Sequence, residues 1–332
     1  MVTVSKEKKQ FLIEITTEIT DEKWQELLGK VPVPTFFHTK KWLEILTNSF
    51  ENCVDHSQLY VFEDGTEVLF PLVKFPYLKS MMNSYFSSYT GVYGGLVSPK
   101  TIDQEKVKAI INKFFNADTA GIYVYHSPFM KLACPGRFKK QTCFTHMLNL
   151  RNDFDHIWEK KFSGNQRSKI RRAEKKGVRV IEGKTEEDIR SFYSLYEKSI
   201  KRWGDKTTWA RPYEFCNNSV ILGQGNTKFK LALLDDKIIA GAITHYFGNH
   251  MYYAWGAFDH DYRAYYPNNL IFKELIKEAC QDGIKYYDMG ASAGLKGVTE
   301  FKESFGAVST SYDAYVWENP LYKIYKKVRK VI

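Results

Sequence analysis

Positive charge is concentrated in the segment GNQRSKIRRAEKKGVRV, which covers residues 164–180. The segment holds seven lysines and arginines against a single glutamate. On a helix, Arg167 and Arg171 lie on one face at i and i+4, while Ile170 and Ala173 form an apolar side that packs the helix down. Such a face can bind a polyanion. The alternative is a charged helix that only faces solvent, and the periodicity taken alone favours it.

A second candidate is the segment GLKGVTEFKESFG, residues 294–306, in which Lys302 follows Phe301. A lysine ammonium can stabilise a developing oxyanion or hold a phosphate. The adjacent aromatic ring offers a base or an acyl group a surface on which to stack. The alternative is an exposed lysine beside a core phenylalanine, and the pattern by itself favours that reading.

A third candidate is the strand, loop and helix within residues 251–290. In acyl-coenzyme A transferases of the GNAT superfamily, this arrangement carries a Gly-rich loop whose N–H groups bind a pyrophosphate. The corresponding loop here, YRAYYPNN, contains no glycine, and Pro267 removes one N–H donor. The following helix still favours an anion at its N-terminus, but the sequence argues against acetyl-coenzyme A.

Histidine and cysteine show no pattern typical of a metal site or a covalent nucleophile. The eight histidines form neither an HExxH motif nor a triad signature, and the five cysteines include no C-x-x-C pair. The odd number and wide spacing of the cysteines argue against a disulfide framework. We therefore expect no metal, no cofactor and a reducing cytoplasm.

Alternating helices and strands should position these candidates, and the first half of the chain already indicates an α/β fold. We expect a helix over residues 21–28 with Asp21 as its cap, and a second helix over residues 41–46. Strands over residues 59–62 and 68–75 follow, separated by the turn Asp64-Gly65. A helix over residues 102–115 and the strand GIYVYHS, which begins at Gly121, complete this half.

The second half carries stronger signals in the same order. A short helix over residues 154–162 precedes the basic helix, which Gly177 ends. Three runs between Phe229 and Phe258, separated by tight turns, predict an antiparallel meander. The meander leads to a helix over residues 268–282, the buried strand IKYYDMG and a closing basic helix over residues 321–330.

The 332 residues include 44% hydrophobic and 26% charged side chains, a balance typical of globular proteins. This length indicates two domains, which we place at residues 1–150 and 151–332. A net charge of +10 with 16% aromatic residues suits phosphate-bearing partners, although a mildly basic surface without such a partner is equally common. No apolar run reaches the roughly 20 residues that span a bilayer, so we expect no stable membrane insertion.

Four motifs together resemble the FemABX family of aminoacyltransferases. In chain order they are Asn165-x-Arg167-x-x-Ile170-Arg171-x-Ala173 ending at Gly177-Val178, the helix start Arg211-Pro212, the strand YYDMG of residues 286–290, and Phe301-Lys302-x-x-Phe305-Gly306. They cover nearly all of the second half in the family's order. The first half is similar only at Trp42 and at the segment YGGLV near Tyr93.

The resemblance implies two tandem GNAT-like domains, each a mixed, largely antiparallel sheet flanked by helices. It also implies transfer of an amino acid from aminoacyl-tRNA to the peptide of a cell-wall precursor. Lys302 matches the family's lysine at the aminoacyl-tRNA end, and Phe301 matches its aromatic neighbour. Arg211 matches the arginine that grips the phosphates of a nucleotide-linked acceptor.

This sequence departs from the family pattern at several positions. The tyrosine expected four residues beyond Arg211 is Phe215, for which Tyr213 can substitute. The phosphate-binding lysine expected one turn after Trp42 falls on Leu46, which weakens the case for a nucleotide-linked acceptor. No heptad run exists to build a coiled-coil arm, so the chain resembles the armless members.

These residues predict an acceptor amine attacking the ester of an aminoacyl-tRNA. Because an ester is already activated, the protein chiefly aligns its substrates and stabilises the oxyanion. We expect Lys302 and Phe301 to act at the reacting end. No general base is identifiable; Asp288 is the nearest acidic candidate and also a candidate substrate contact, and the alternative is a buried structural aspartate at the end of a strand. The remaining candidates are acceptor contacts at Arg211, Tyr213, Tyr253 and Trp255, and tRNA backbone contacts at Arg167, Lys169 and Arg171.

Two other functions stay open at this point. One is a coenzyme A-dependent N-acyltransferase acting on an amino sugar, amino acid or peptide. The other is a GNAT-like module that binds RNA or a protein partner without catalysis. In each case we expect a monomer.

Overall fold

The computed structural model describes residues 12–77, 81–88, 92–130, 132–134, 136–151, 153–203 and 210–329. The strands, in chain order, are β1 (Leu12–Thr16), β2 (Val54–Asp55), β3 (Gln58–Phe62), β4 (Glu67–Phe70), β5 (Val73–Tyr77), β6 (Met82–Phe86), β7 (Thr119–Tyr125), β8 (Lys139–Asn149), β9 (Arg179–Glu182), β10 (Thr227–Leu234), β11 (Lys237–Phe247), β12 (His250–Phe258), β13 (Tyr286–Asp288) and β14 (Val308–Glu318). The helices are α1 (Asp21–Gly29), α2 (Lys40–Ser49), α3 (Gln104–Asn112), α4 (Phe154–Lys160), α5 (Gly164–Lys175), α6 (Glu186–Trp203), α7 (Tyr213–Ile221), α8 (Pro267–Gln281), α9 (Lys296–Glu303) and α10 (Pro320–Arg329). The expected α/β class is confirmed.

Two compact units make up the chain, and each combines separated stretches of sequence. Unit 1 comprises Met1–Pro32, Asn52–Gln141 and Asp313–Val331, and unit 2 comprises Val33–Glu51 and Thr142–Tyr312 together with Ile332. The division therefore differs from continuous domains at 1–150 and 151–332. The reason is that α2 belongs to unit 2, where Trp42 packs edge-on against the rings of Phe215 and His245.

Unit 1 contains two sheets around one core. The first is antiparallel with strand order β1-β3-β4, and the second has the order β2-β5-β6-β7-β14 with one parallel pair, β6 and β7. Residues 68–75, expected as one strand, form parts of β4 and β5, which belong to different sheets. Pro71 lies between these two strands and has no N–H to donate to a continuous ladder. The core includes Tyr60, Phe70, Ile110, Val124 and Tyr315.

Unit 2 is built on a sheet of order β8-β13-β12-β11-β10-β9. The expected meander is confirmed as β10, β11 and β12, and Asp235 and Asp236 form its first tight turn with φ of 48° and 63°. The helices α5 and α8 cover a core that includes Ile170, Met251, Leu275, Ile276 and Tyr287. Tyr253 and Phe301 pack against this core.

The predicted helices agree with the structure within a few residues at their ends, with one difference in capping. Thr20, not Asp21, accepts the hydrogen bond that caps α1, so Asp21 is the first helical residue. The basic helix is confirmed as α5, and Gly177 follows it with φ of +81°. The closing helix is confirmed as α10, while Lys330 lies outside the described residues.

Candidate active site

A cavity of about 390 Å³ opens in unit 2 beside the part of β12 that extends beyond its pairing with β13. β12 pairs with β13 only through His250, Met251 and Tyr252, yet β12 continues to Phe258. Among the described strands, none pairs with the rest of β12 on that side. The cavity is lined by Ser199, Tyr253, Gly256, Ala257, Phe258, Arg263, Tyr266, Pro267, Asn268, Asn269, Phe272, Gly297, Val298, Phe301 and Lys302.

A β-bulge on β12 decides which side chains reach this cavity. Trp255 pairs with Ile243 and Tyr253 pairs with Thr244, so Ala254 has no residue opposite it in β11. Such an extra residue reverses the alternation of side chains along a strand. The Tyr253 ring therefore packs against Phe272 of α8, with centroids 4.6 Å apart, and lines the cavity.

Trp255 lies on the other face of the sheet. Its ring packs against Phe192 and Tyr196 of α6, with centroid distances of 6.2 and 5.0 Å. The expectation that Tyr253 and Trp255 line one site assumes regular alternation, which places residues i and i+2 on one face. The bulge at Ala254 interrupts that alternation, so the two side chains lie on opposite faces. The sequence carries no signal for the bulge, because Ala254 is an ordinary strand residue.

Lys302 is the buried cation of the cavity. Its side chain in α9 is only 4% exposed, and Nζ donates to the carbonyl oxygens of Gly290 (2.8 Å) and Ala291 (2.7 Å). Burial lowers its pKa from the usual 10.5 to about 8, against the opposing effect of Asp288. An ammonium has three N–H donors, so one remains for a ligand in the cavity.

Asp288 shapes the turn that holds Lys302. The carboxylate is fully buried and accepts hydrogen bonds from Thr145 Oγ1 and from the Gly290 amide (2.7 Å). Gly290 has φ of +74°, a conformation that favours glycine. Asp288 does not line the cavity. Its hydrogen bond from the Gly290 amide holds the turn whose carbonyl oxygens, those of Gly290 and Ala291, bind the ammonium.

Phe301 lines the same cavity as Lys302, as the sequence predicts. Its ring is half-buried and lies 5.2 Å, centroid to centroid, from both Phe272 and Phe305. Apolar rings beside the buried ammonium lower the local dielectric, which strengthens the field of that charge. The structure thus brings together Lys302, Phe301 and Tyr253.

The loop that carries glycines in coenzyme A-dependent relatives forms a 3₁₀ helix, His260–Tyr265. Tyr266 then adopts φ of 55° before Pro267 begins α8. Asn269 lies in the first turn of α8, lines the cavity and donates through Nδ2 to Gln166 Oε1 at 3.0 Å. Sequence reasoning missed these polar residues, since nothing in their spacing suggests that they meet.

Arg167 is half-buried and donates hydrogen bonds to backbone carbonyls. Its Nη1 donates to the carbonyl oxygens of Trp158 (3.1 Å), Glu159 (2.9 Å) and Phe162 (2.7 Å), which lie at the end of α4. Arg171 is exposed with its guanidinium 5.8 Å from the Trp158 ring centroid, and Lys169 is half-buried. Arg167 and Arg171 thus both lie beside Trp158, and Arg167 is the one that binds backbone carbonyls.

Arg211 and Tyr213 lie on the Trp255 side of β12. Arg211 Nη1 donates to the carbonyl oxygen of Ala254 at 2.9 Å, and its guanidinium lies 5.0 Å from the Trp255 ring centroid. The Tyr213 ring lies 4.9 Å below the Arg190 guanidinium. Neither side chain lines the cavity.

A family model described as an acetyltransferase (GNAT) domain matches residues 160–303. Lipid II:glycine glycyltransferase of Staphylococcus epidermidis is 31% identical over 102 residues, covering 27% of this chain and 24% of that protein. The protein of the same name from Staphylococcus haemolyticus is 30% identical over 102 residues, with the same coverage. The match spans about a quarter of the length of these curated relatives.

Solved structures are similar over nearly the whole chain. The crystal structure of FemX has a TM-score of 0.69 at 16% identity and covers 94% of this chain and 99% of its own. A tandem GNAT protein from the clavulanic acid biosynthesis pathway has a TM-score of 0.53 at 11% identity, with coverage of 92% and 98%. L-PGS from Bacillus licheniformis has a TM-score of 0.55 at 12% identity, with coverage of 96% and 98%.

Residues 160–303 match a GNAT domain, and the fold of the chain is similar to that of FemX and of the tandem GNAT protein. The resemblance to the FemABX family is confirmed by the glycyltransferase relatives and by the FemX fold. Among the described residues, no helix is both long and apolar enough to cross a bilayer. The same residues hold no group of three or more side chains suited to bind a metal ion.

Proposed function

We propose that the protein is an aminoacyltransferase that moves an amino acid from aminoacyl-tRNA to an amine of a peptide acceptor. The observation that carries this proposal is Lys302, a buried ammonium with one N–H donor left in a cavity walled by Phe301 and Tyr253. This arrangement suits a reaction whose transition state carries a new negative charge on oxygen.

The reaction needs few groups from the protein. The acceptor amine attacks the ester carbonyl, and the carbonyl oxygen becomes an oxyanion beside Lys302. The C–O bond to the ribose then breaks as the amide forms, and the ribose oxygen leaves with the proton that the amine gives up. Alignment of the two substrates supplies most of the rate because the ester is already reactive. Charged tRNA is available in the cytoplasm, where we place the reaction.

The acceptor we propose is a peptide amine of a cell-wall precursor, by analogy with the relatives named for transfer of glycine to lipid II. Arg211 and Tyr213 stay candidates for acceptor contacts on the Trp255 side of β12. The reacting amine must itself reach the cavity that holds the donor ester, so Arg211 and Tyr213 would contact a part of the acceptor away from that amine.

A coenzyme A-dependent acyltransferase is the competing function, and the description of the matching family model favours it. The site argues against it, since Pro267 and the 3₁₀ helix replace the Gly-rich loop that binds pyrophosphate. A third candidate is an RNA-binding or partner-binding module without catalysis.

Single-turnover transfer from a charged tRNA pool, with mass spectrometry of candidate amine acceptors, tests the proposal against both alternatives. We expect an amide product from charged tRNA and none from acetyl-coenzyme A. The Lys302→Ala variant should lose more than about tenfold in rate, equivalent to roughly 1.4 kcal/mol.

Lys296→Ala is the matched control, because Lys296 lies on the same helix with 90% of its side chain exposed. We expect this variant to transfer at the wild-type rate. A Lys302→Ala rate within tenfold of wild type would remove Lys302 from the reacting site, and product from acetyl-coenzyme A alone would overturn the proposed donor.

A further inference from the structure

The closing helix α10 leaves aliphatic side chains exposed on unit 1. Leu321 and Ile324 are 73% and 60% exposed, whereas Tyr322 is only 3% exposed. In the sequence, apolar residues recur at positions 321, 324, 325 and 328, which is the spacing of one stripe along a helix. The start of α10 therefore packs on unit 1 through Tyr322 and presents aliphatic side chains to solvent.

Contacts with unit 1 hold the start of α10 in place. The Tyr322 ring lies 5.4 Å, centroid to centroid, from the Tyr77 ring of β5. The Asn319 amide donates to a backbone carbonyl of β7 at 2.9 Å, and Asn319 Oδ1 accepts from the Leu321 amide at 3.0 Å. Leu321 and Ile324 are thus exposed on a helix that is already docked, so they stay available to a ligand outside unit 1.

A third exposed apolar side chain lies at the hairpin between β5 and β6. Tyr77, whose ring contacts α10, pairs with Met82 across this hairpin. Met81, the residue before Met82, is 76% exposed. The end of the hairpin and the start of α10 are therefore neighbours on unit 1. We call Met81, Leu321, Lys323 and Ile324 the α10 patch.

The segments that form the α10 patch carry positive charge only. Lys323 is exposed, and residues 319–332 contain five lysines and arginines and no aspartate or glutamate. The hairpin belongs to residues 68–102, which contain three lysines and likewise no aspartate or glutamate. Exposed aliphatic side chains flanked by cations are typical of helices that lie in the surface of an anionic bilayer.

Other ligands would use only half of these features. The core of a protein–protein interface is depleted in lysine. Nucleic acid binds to cations interleaved with stacking aromatic rings, and exposed aliphatic side chains add nothing to those contacts. An anionic bilayer matches both features, since its headgroups attract the cations and its acyl chains receive the aliphatic side chains.

We infer that the α10 patch docks unit 1 on the surface of an anionic lipid bilayer. Leu321, Ile324 and Met81 enter the boundary between headgroups and acyl chains, and Lys323 contacts the lipid phosphates. The helix lies in the plane of the surface and does not cross the bilayer. This inference goes beyond the proposed function and does not depend on it, because the patch lies on unit 1 and Lys302 lies in unit 2.

Flotation of the full-length protein with lipid vesicles tests the inference. One set of vesicles is pure phosphatidylcholine, and the other contains about 30% phosphatidylglycerol. We expect at least tenfold tighter binding to the anionic vesicles, with an affinity that falls as salt rises. The Met81→Ser/Leu321→Ser/Ile324→Ser variant should bind the anionic vesicles at least tenfold more weakly, because it removes apolar area and leaves the charge unchanged.

The matched control is Ile13→Ser/Ile221→Ser/Val308→Ser, which replaces three aliphatic side chains that are 64%, 41% and 66% exposed on other elements. It should bind the anionic vesicles within twofold of wild type. Both triple variants should keep the wild-type Tm, since every replaced side chain is exposed.

Three results would overturn the inference. The first is vesicle binding by the patch variant within twofold of wild type, or equal losses in the patch variant and the control. The second is equal wild-type binding to the two kinds of vesicle. The third is a dimer of the free protein that the patch variant abolishes, because a second copy of the chain would then cover the patch.

Transfer from charged tRNA to a soluble peptide amine separates this inference from the proposed function. The patch variant should transfer at the wild-type rate, as none of its three residues belongs to the reacting site. A wild type that binds anionic vesicles through the patch but transfers nothing would overturn the proposed function and leave the docking surface standing. Vesicle binding unchanged in the patch variant, with transfer intact in the wild type, would overturn only the docking surface.

Discussion

The ammonium of Lys302 is held by two backbone carbonyls, and no carboxylate of the described residues accepts a hydrogen bond from it. Carbonyl dipoles stabilise the charge only in part, and burial therefore lowers the pKa to about 8. The lysine thus keeps a positive charge near neutral pH while one N–H stays available to an oxyanion. A carboxylate in contact would have neutralised that field.

The lowered pKa of Lys302 predicts how stability depends on pH. Between pH 8 and 10.5 the unfolded chain holds a proton on this lysine that the folded chain has released, so the free energy of unfolding rises with pH. Relative to Lys302→Met, the wild type should gain up to about 3 kcal/mol across this interval. Urea unfolding at pH 7.5 and pH 10 measures the difference, and parallel curves for the two proteins would contradict a buried ammonium.

Arg167 contributes to stability, whereas Lys302 faces the cavity. Three carbonyl oxygens at the end of α4 depend on its guanidinium, and hydrogen bonds to a charged group contribute about 1.5–3 kcal/mol each when buried. We expect Arg167→Ala to lower the free energy of unfolding by about 2 kcal/mol, because the side chain is only partly buried.

The Arg167→Ala variant should bind tRNA with the wild-type salt dependence, since the guanidinium is bound to the end of α4. Arg171→Ala, on the same helix but exposed, is the control for stability and should unfold like the wild type. A salt slope that falls in Arg167→Ala without loss of stability would show that the arginine contacts RNA.

The two halves of β12 differ in their strand pairing. Its first residues pair on both sides, and after Tyr252 the pairing with β13 ends and the bulge at Ala254 follows. The bulge turns Tyr253 toward α8 and leaves Trp255 against α6. The same bulge presents the Ala254 carbonyl to Arg211.

Gly256 of β12 gives the prediction for this element. A Cβ at this position would overlap the phenol oxygen of Tyr253, so only glycine leaves the ring in its place over the strand. We expect Gly256→Ala to displace the Tyr253 ring and reduce transfer at least tenfold. Single-turnover rates measure the effect.

A double-mutant cycle separates this cause from general damage to the strand. In a Tyr253→Ala background the clash is absent, so Gly256→Ala should change the rate by less than threefold. Equal losses in both backgrounds would mean that Gly256 acts through something other than the tyrosine ring.

For the whole molecule, the net charge of +10 favours a polyanionic ligand without specifying one. Thermal unfolding with each candidate donor tests which one binds. A ligand that binds only the folded state raises the free energy of unfolding by about 2.7 kcal/mol at 100 times its Kd. We expect charged tRNA to raise the Tm and acetyl-coenzyme A at 1 mM to leave it unchanged.

Repeating the thermal unfolding in low and in moderate salt tests whether the shift in Tm comes from phosphate contacts. The shift caused by tRNA should shrink as salt rises, since phosphate contacts release counterions. A Tm that rises with acetyl-coenzyme A and not with tRNA would favour the competing acyltransferase.

The sequence by itself determined the local elements and the order of the motifs. Hydrophobic periodicity and turn residues define α5, α8 and the meander, because those signals act between near neighbours in the chain. The motif around Phe301 and Lys302 indicates the family because its residues are close together in the sequence and can be read without the fold. The predicted elements missed β8 and β14, whose polar and aromatic residues gain their strand conformation from pairing with distant segments.

Only the tertiary structure decided which candidates meet. Burial beside the carbonyls of Gly290 and Ala291 lowers the pKa of Lys302. Arg167 donates hydrogen bonds to carbonyl oxygens at the end of α4. The bulge separates Tyr253 from Trp255, and Tyr266 reaches the cavity through a positive φ. Each outcome depends on contacts or backbone geometry that residue spacing does not encode, since side-chain direction and burial are set by packing partners remote in sequence.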